Sequence, residues 1–254
     1  MKLNYRIIGD GRPVLIFHGL FGMSDNLQSF AKRLANSGCQ VILADLRNHG
    51  HSPHDKKHDY ANIASDIVEL ISDLGLVNPD VIGHSMGGKA TLQLINDFPR
   101  LIHRAIVVDI APYRYPVHNK EVLAALLSVD LSVVKSRSEA EKKLSESIDD
   151  VGIRQFLLKN LYWASPDQLA WRFNLEALKG CLEAVGEATW PSVQNSTPVL
   201  FVRSPLSGYI DESRFSEIKQ WYPNAEFVTI QGAGHWVHAD KPDELLHTIE
   251  DFLM

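Results

Sequence analysis

Residues 79–89 read PDVIGHSMGGK, and the turn they encode decides the fold. The run 79–83 is short, apolar and strand-like, and residues 86–97 have the composition of a helix. Between them, Gly83–His84–Ser85–Met86–Gly87 has the form G-x-S-x-G. A nucleophile raised on a sharp strand-to-helix turn forces neighbouring backbones together, and glycine at −2 and +2 avoids the clash. The same turn puts Ser85 at a helix N-terminus, where free N–H groups and the dipole favour developing negative charge. The pattern alone is only moderately specific; strand before and helix after is the context it demands.

Working outward, similar segments recur. Residues 13–17 (PVLIF), 40–44 (QVILA), 104–109 (RAIVVD), 198–203 (PVLFVR) and 225–230 (AEFVTI) join 79–83 as strands expected to be buried on both faces. Their apolarity is continuous rather than alternating, as a parallel sheet covered by helices requires. Residues 3–8 are expected to add an antiparallel edge strand through a turn at Gly9–Asp10–Gly11. Helices are expected at 25–36 and 86–97, and Ile63, Ile67, Leu70, Ile71 and Leu74 form one apolar helical stripe that stops at Gly75. Asp240, before Lys241–Pro242, is the expected N-cap of a final helix. This alternation implies an α/β class with a mostly parallel central sheet flanked by helices.

The alternation fails from about 112 to 190. No strand-like run is read there, and helices are expected near 117–129, 138–147, 150–162 and 166–186. Strands then resume at 198. Residues 1–111 and 191–254 are therefore read as one core, and 112–190 as an inserted helical cap over the carboxyl ends of the strands, where open α/β sheets bind ligands. The charged run Glu139–Lys143 reads as the wet face of a cap helix.

Composition sets the remaining bounds. The 254 residues are 45% hydrophobic and 22% charged, which excludes disordered, collagen-like and coiled-coil chains. A formal charge of −6 without any run of Lys or Arg argues against nucleic acid as a partner. Cys39 and Cys181 are too few for a disulfide framework and lack zinc-site spacing. The N-terminal MKLNYRIIGDGRP has no apolar signal core, and no stretch approaches the ~20 apolar residues that span a bilayer. A soluble, cytoplasmic protein without membrane insertion is expected, and no feature sets its oligomeric state.

An alcohol is a weak nucleophile near neutrality, so Ser85 needs a base within hydrogen-bond reach. Of eleven histidines, His235 follows the last expected strand in Gly232–Ala233–Gly234–His235–Trp236, an open, glycine-flanked loop. His238 is its rival; His84, His49 and His51 are assigned local hydrogen-bonding roles. The loop His18–Gly19–Leu20–Phe21–Gly22 turns its amides inward, so the backbone N–H groups of Leu20 and Met86 are the expected oxyanion donors. His18 is read as a structural hydrogen-bonding group holding that loop.

Together, HGLFG (18–22), DLRNHGHS (45–52), GHSMGGK (83–89), VDIAP (108–112) and GAGHWVHADKP (232–242) resemble the α/β-hydrolase superfamily, and more closely the YbfF-type esterases. The resemblance covers nearly the whole chain and is weakest over 113–190. It implies an eight-stranded, mostly parallel sheet under a helical cap. It also implies hydrolysis of carboxylic esters and acyl thioesters without cofactor or metal, with Ser85 as nucleophile and His235 as base.

The acid departs from the common pattern. Most α/β-hydrolases place it on a turn after the seventh strand, but here 198–203 is followed by Ser204–Pro205–Leu206–Ser207–Gly208, which has no carboxylate. Asp211 comes later and equally suits a helix N-cap. Asp109 ends an apolar strand, where a carboxylate is costly to bury without a partner such as an imidazolium, and the resemblance points to the same position. Asp109 is therefore the expected acid and Asp211 the alternative.

Phe21, Met23, Tyr113 and Trp236 flank these positions as candidate substrate-binding residues, with core packing an equal reading for each. Asp45 and Arg47 are expected to pair with each other, and Lys89 to be a solvated charge rather than a contact to a substrate phosphate. The expected partner is a small-molecule acyl ester or thioester. Competing readings are hydrolysis of another carbonyl bond (carbon–carbon, amide or lactone) on the same residues, or a non-catalytic binding protein of the same fold.

Overall fold

The computed structural model describes residues 1–116 and 120–253. Its strands, in chain order, are β1 (Tyr5–Ile8), β2 (Arg12–Phe17), β3 (Cys39–Ala44), β4 (Asp80–His84), β5 (Ala105–Val108), β6 (Leu161–Ser165), β7 (Gln168–Trp171), β8 (Val199–Arg203) and β9 (Ala225–Thr229). The α-helices are α1 (Gln28–Ala35), α2 (Tyr60–Asp73), α3 (Met86–Asp97), α4 (Lys120–Ser128), α5 (Arg137–Ser145), α6 (Val151–Leu158), α7 (Leu175–Gly186), α8 (Phe215–Trp221), α9 (Val237–Asp240) and α10 (Pro242–Leu253).

The central sheet runs β1-β3-β2-β4-β5-β8-β9. Only β1 is antiparallel, pairing with β3 from Tyr5 opposite Ala44 to Ile8 opposite Val41. The sheet thus has seven strands among the described residues, against the eight that the resemblance implies: β1 alone precedes β2, and it pairs with β3 only. Continuous apolarity in the strands has the expected cause. Leu15, Phe17, Ile42, Val81, Val107 and Phe201 face one core, under α2, α3 and α8. Their neighbours Val14, Ile16, Val41, Ile82, Val108 and Leu200 face the other, under α1 and α10. Side chains alternate across a strand, so a strand covered on both faces must be apolar at every position.

Chain order reverses between β2 and β4. A crevice forms at the carboxyl ends of strands on either side of such a reversal, and it lies between the loop after β2 and the turn after β4.

The segment between β5 and β8 has its own apolar cluster, including Leu126, Leu144, Leu158, Trp171, Phe173 and Leu178. It is not wholly helical. Residues 161–171 form the antiparallel hairpin β6–β7, with Leu161 opposite Trp171. The expected helices 150–162 and 166–186 both overran it. Pro166–Asp167 breaks the helical pattern, and the relevant period is two, since Leu169 and Trp171 are buried while Gln168 is exposed. The expected helix 117–129 is described from Lys120 to Ser128 as α4; residues 117–119 lie outside the described residues. Asp240 is likewise no N-cap: it ends α9, and its Oδ2 accepts from the Gly234 N–H at 2.8 Å, while α10 starts on Pro242.

Candidate active site

Each candidate group leaves the carboxyl end of a different parallel strand. Ser85 follows β4 and holds φ 53° and ψ −117°, a conformation that costs an L-residue of order 1–3 kcal/mol. Glycine spacing is the reason it is tolerated. A Cβ on Gly87 would lie 2.6 Å from the Phe17 carbonyl oxygen, and one on Gly83 would overlap the Gly87 carbonyl. The Ser85 N–H donates to Val108 O at 3.0 Å, binding the turn to the neighbouring strand.

His235, on the loop after β9, brings Nε2 to 3.0 Å from Ser85 Oγ. Its Nδ1 lies 2.8 Å from Asp109 Oδ2. A carboxylate only accepts, so Nδ1 carries the proton and Nε2 presents its lone pair to the serine hydroxyl. Asp109 is fully buried and has φ 51°. Its Oδ1 accepts from Ser207 Oγ at 2.7 Å and the Ser204 N–H at 3.2 Å. The turn after β8 therefore supplies donors to the carboxylate instead of the carboxylate itself. Asp211 caps the short helical turn at 212–214 by accepting from the Ser213 N–H at 2.9 Å.

At the carboxyl ends of β2 and β4, the Leu20 N–H and the Met86 N–H donate to no described group. Gly19 O, across the same peptide plane as the Leu20 N–H, accepts from His18 Nδ1 at 2.8 Å and Gly22 N at 3.0 Å. Peptide planarity converts those two bonds into a fixed direction for the Leu20 N–H. His18 Nε2 accepts from the Leu46 N–H at 3.0 Å, and burial lowers the His18 pKa, so the ring stays a neutral strut. Phe21, with φ 57°, donates its N–H to His49 Nε2 at 3.2 Å. Its carbonyl accepts from Asn160 of the insertion at 2.8 Å.

Two pockets meet at Ser85. The first is lined by Leu20, Phe21, Phe156, His235 and Trp236, among others. The second shares Leu20, Ser85 and Tyr209 with it and is otherwise lined by different residues, Met86, Lys89 and Leu182 among them. Of the four candidate substrate-binding residues, Phe21 and Trp236 line the first pocket, while Met23 and Tyr113 line neither. Met23 is buried beside the 24–27 turn. Tyr113 is buried with its hydroxyl donating to Tyr209 O at 2.8 Å and accepting from the Asp211 N–H at 2.9 Å.

The hydrogen bond expected of His84 is long-range rather than local, and Tyr209 is a neighbour that the sequence does not signal. His84 Nε2 donates to His235 O at 2.8 Å, tying the turn after β4 to the loop after β9. Burial drives its pKa far down, and His235 and His238 add to the effect. The Tyr209 ring packs on the His235 imidazole with centroids 4.5 Å apart. His238, the rival base, shares no hydrogen bond with Ser85; its ring lies edge-on to His84, and burial, with His235 nearby, lowers it to about 4.

Two charge assignments change. Arg47 pairs with Asp66 of α2 rather than Asp45, through Nε–Oδ2 at 2.6 Å and Nη2–Oδ1 at 2.8 Å. Asp45 instead accepts the backbone N–H groups of Ser24 and His51. Lys89 is buried, not solvated; the apolar face of α3 is wide enough to include it. Among the described residues, no group of three or more His, Cys, Asp or Glu side chains is placed to hold a metal ion, and no helix is long and apolar enough to cross a membrane.

A model of the α/β-hydrolase fold matches residues 12–242. The mouse sn-1-specific diacylglycerol lipase ABHD11 is 37% identical over 265 residues, covering all of this chain and 85% of the mouse protein. Esterase YbfF of Escherichia coli is 35% identical over 260 residues, covering 100% of this chain and 99% of its own. Among solved structures, a marine microorganism esterase superposes with a TM-score of 0.96 at 37% identity, over 99% of both chains. The strained serine turn, the order of the strands and these full-length similarities agree: the chain belongs to the α/β-hydrolase superfamily, in its YbfF-type esterase family.

Proposed function

We propose that the protein is a serine hydrolase that cleaves carboxylic esters and acyl thioesters through an acyl-enzyme on Ser85. The observation that carries this reading is the unbroken hydrogen-bonded line from Ser85 Oγ through His235 to Asp109. In the first half, Ser85 Oγ bonds to the substrate carbonyl carbon as its proton passes to His235 Nε2. Negative charge collects on the carbonyl oxygen between the Leu20 and Met86 N–H groups, each such donor contributing about 3–4 kcal/mol in comparable sites. His235 then gives the proton to the leaving oxygen or sulfur as its bond to carbon breaks. In the second half, water repeats the sequence on the same base and releases the acid. Asp109 holds the imidazole tautomer and offsets the imidazolium charge. Residues 112–190 act as a cap: Val122 and Phe156 wall the first pocket, and Leu182 and Val185 the second.

The test is steady-state hydrolysis of 4-nitrophenyl butanoate and butyryl-CoA by the wild type and Ser85→Ala. Turnover of at least one substrate, reduced about 10⁴-fold or more by the substitution, is expected. Turnover that survives Ser85→Ala unchanged overturns the proposal.

A further inference from the structure

The second pocket holds a charge that the hydrolytic chemistry does not use. Met86, Ile110, Leu182, Val185 and Lys89 line it. Lys89 lies one helical turn beyond Ser85 and is 1% exposed. Its Nζ donates to the backbone carbonyls of Tyr113, at 2.9 Å, and of Glu187. It also sits 5.0 Å from the centre of the Tyr115 ring. All of these partners are neutral. Among the described residues, no carboxylate comes within salt-bridge distance of Nζ, and neither Asp nor Glu lines the pocket. Burial pushes the ammonium down to about 7, even with the Glu187 charge raising it. A buried cation without a carboxylate in contact is costly and is stabilised by any anion that reaches it.

The direction of the reaction says which half of the substrate enters this pocket. His235 must hand its proton to the leaving atom, so the leaving group lies on the His235 side. His235 and Trp236 line the first pocket and are absent from the second. The acyl group, pinned at its carbonyl between the Leu20 and Met86 N–H groups, is left to run past Met86 towards Lys89.

We propose that the second pocket is the acyl pocket, and that Lys89 makes it selective for acyl groups ending in a carboxylate: half-esters or half-thioesters of short dicarboxylic acids. The proposal rests on the Ser85 reading above. An acyl carboxylate there would pair with the ammonium in a site with little water, where charge-assisted hydrogen bonds are strongest.

The test compares kcat/KM for mono-4-nitrophenyl adipate and 4-nitrophenyl hexanoate, which share chain length and leaving group, after subtraction of spontaneous hydrolysis. The ratio of the two on one enzyme sample is independent of the fraction folded. It is expected to favour the adipate ester in the wild type, to fall at least tenfold in Lys89→Met, and to be partly retained in Lys89→Arg. A second measurement needs no variant: adipate should inhibit wild-type hydrolysis of 4-nitrophenyl butanoate with a Ki at least fivefold below that of hexanoate. A wild-type preference for the hexanoate ester, an unchanged ratio in Lys89→Met, or equal inhibition by the two acids overturns the assignment. Loss of Ser85-dependent turnover on every ester would instead remove the Ser85 reading, and this one with it.

Discussion

The carboxyl edge of the sheet and the segment between β5 and β8, proposed above as a cap, are built on different principles. At the sheet edge every position is over-determined: Ser85 and Asp109 hold positive φ because parallel strands, close glycine contacts and buried hydrogen bonds leave no alternative. The insertion is held by side-chain packing in its own cluster and by a few polar ties, Asn160 to Phe21 O and Asn174 to Asn48 among them. Strain at the edge fixes reacting geometry, whereas packing in the insertion fixes pocket shape. Substitutions should separate the two.

The largest expected effect lies at the sheet edge. Asp109→Asn should lower kcat by about 10⁴-fold, because an amide can present a donor to His235 Nδ1 and so select the wrong tautomer. Asp211→Asn retains a capping acceptor and should stay within about threefold of wild type. A large loss in Asp211→Asn alone would reverse the assignment of the acid.

In the insertion, Phe173 is 2% exposed, stacks on Trp171 and meets Phe21 edge-on at 5.3 Å. Phe173→Ala should cost about 3–5 kcal/mol, read in denaturant as early loss of the insertion cluster. A single transition at the wild-type midpoint would show that the two regions unfold as one.

A smaller effect is set by pH. His58 is buried beside the His49 ring, and burial, with Arg47 nearby, lowers it to about 4. The unfolded chain takes up a proton near pH 6.5 that the folded chain refuses. Stability is therefore full above pH 6.5 and declines as pH falls towards 4. The contribution of His58 is about 2 kcal/mol between pH 6.5 and 5. Denaturant unfolding of the wild type and His58→Gln at pH 7 and pH 5 checks this: the variant should show the shallower pH dependence.

The same contrast governs what the sequence discloses. That Ser85, Asp109 and the 18–22 loop come together is legible because each follows an apolar strand and because the Ser85 turn demands glycines at fixed offsets, while His235 is marked by the glycine-flanked loop after the last strand. The hairpin at 161–171 is not legible because apolar residues fit two periods over so short a stretch. Arg47 was paired with the nearest acid in sequence, whereas Asp66, 19 residues away, is the partner that the fold supplies. Lys89 reads as surface by residue type; the signal available was its place directly after Gly87–Gly88, on the part of α3 that packs closely against β2 and β5. Tyr209 and His84 act on His235 through contacts that no local pattern encodes.

The central claim is that the Ser85 hydroxyl is activated by His235. Intact-mass spectrometry after brief exposure to a fluorophosphonate tests it most directly. One covalent adduct per chain is expected in the wild type, mapping to the peptide that contains Ser85, absent in Ser85→Ala and slowed at least a hundredfold in His235→Ala. Folded wild type that takes up no label, or label that persists in Ser85→Ala, would contradict the account.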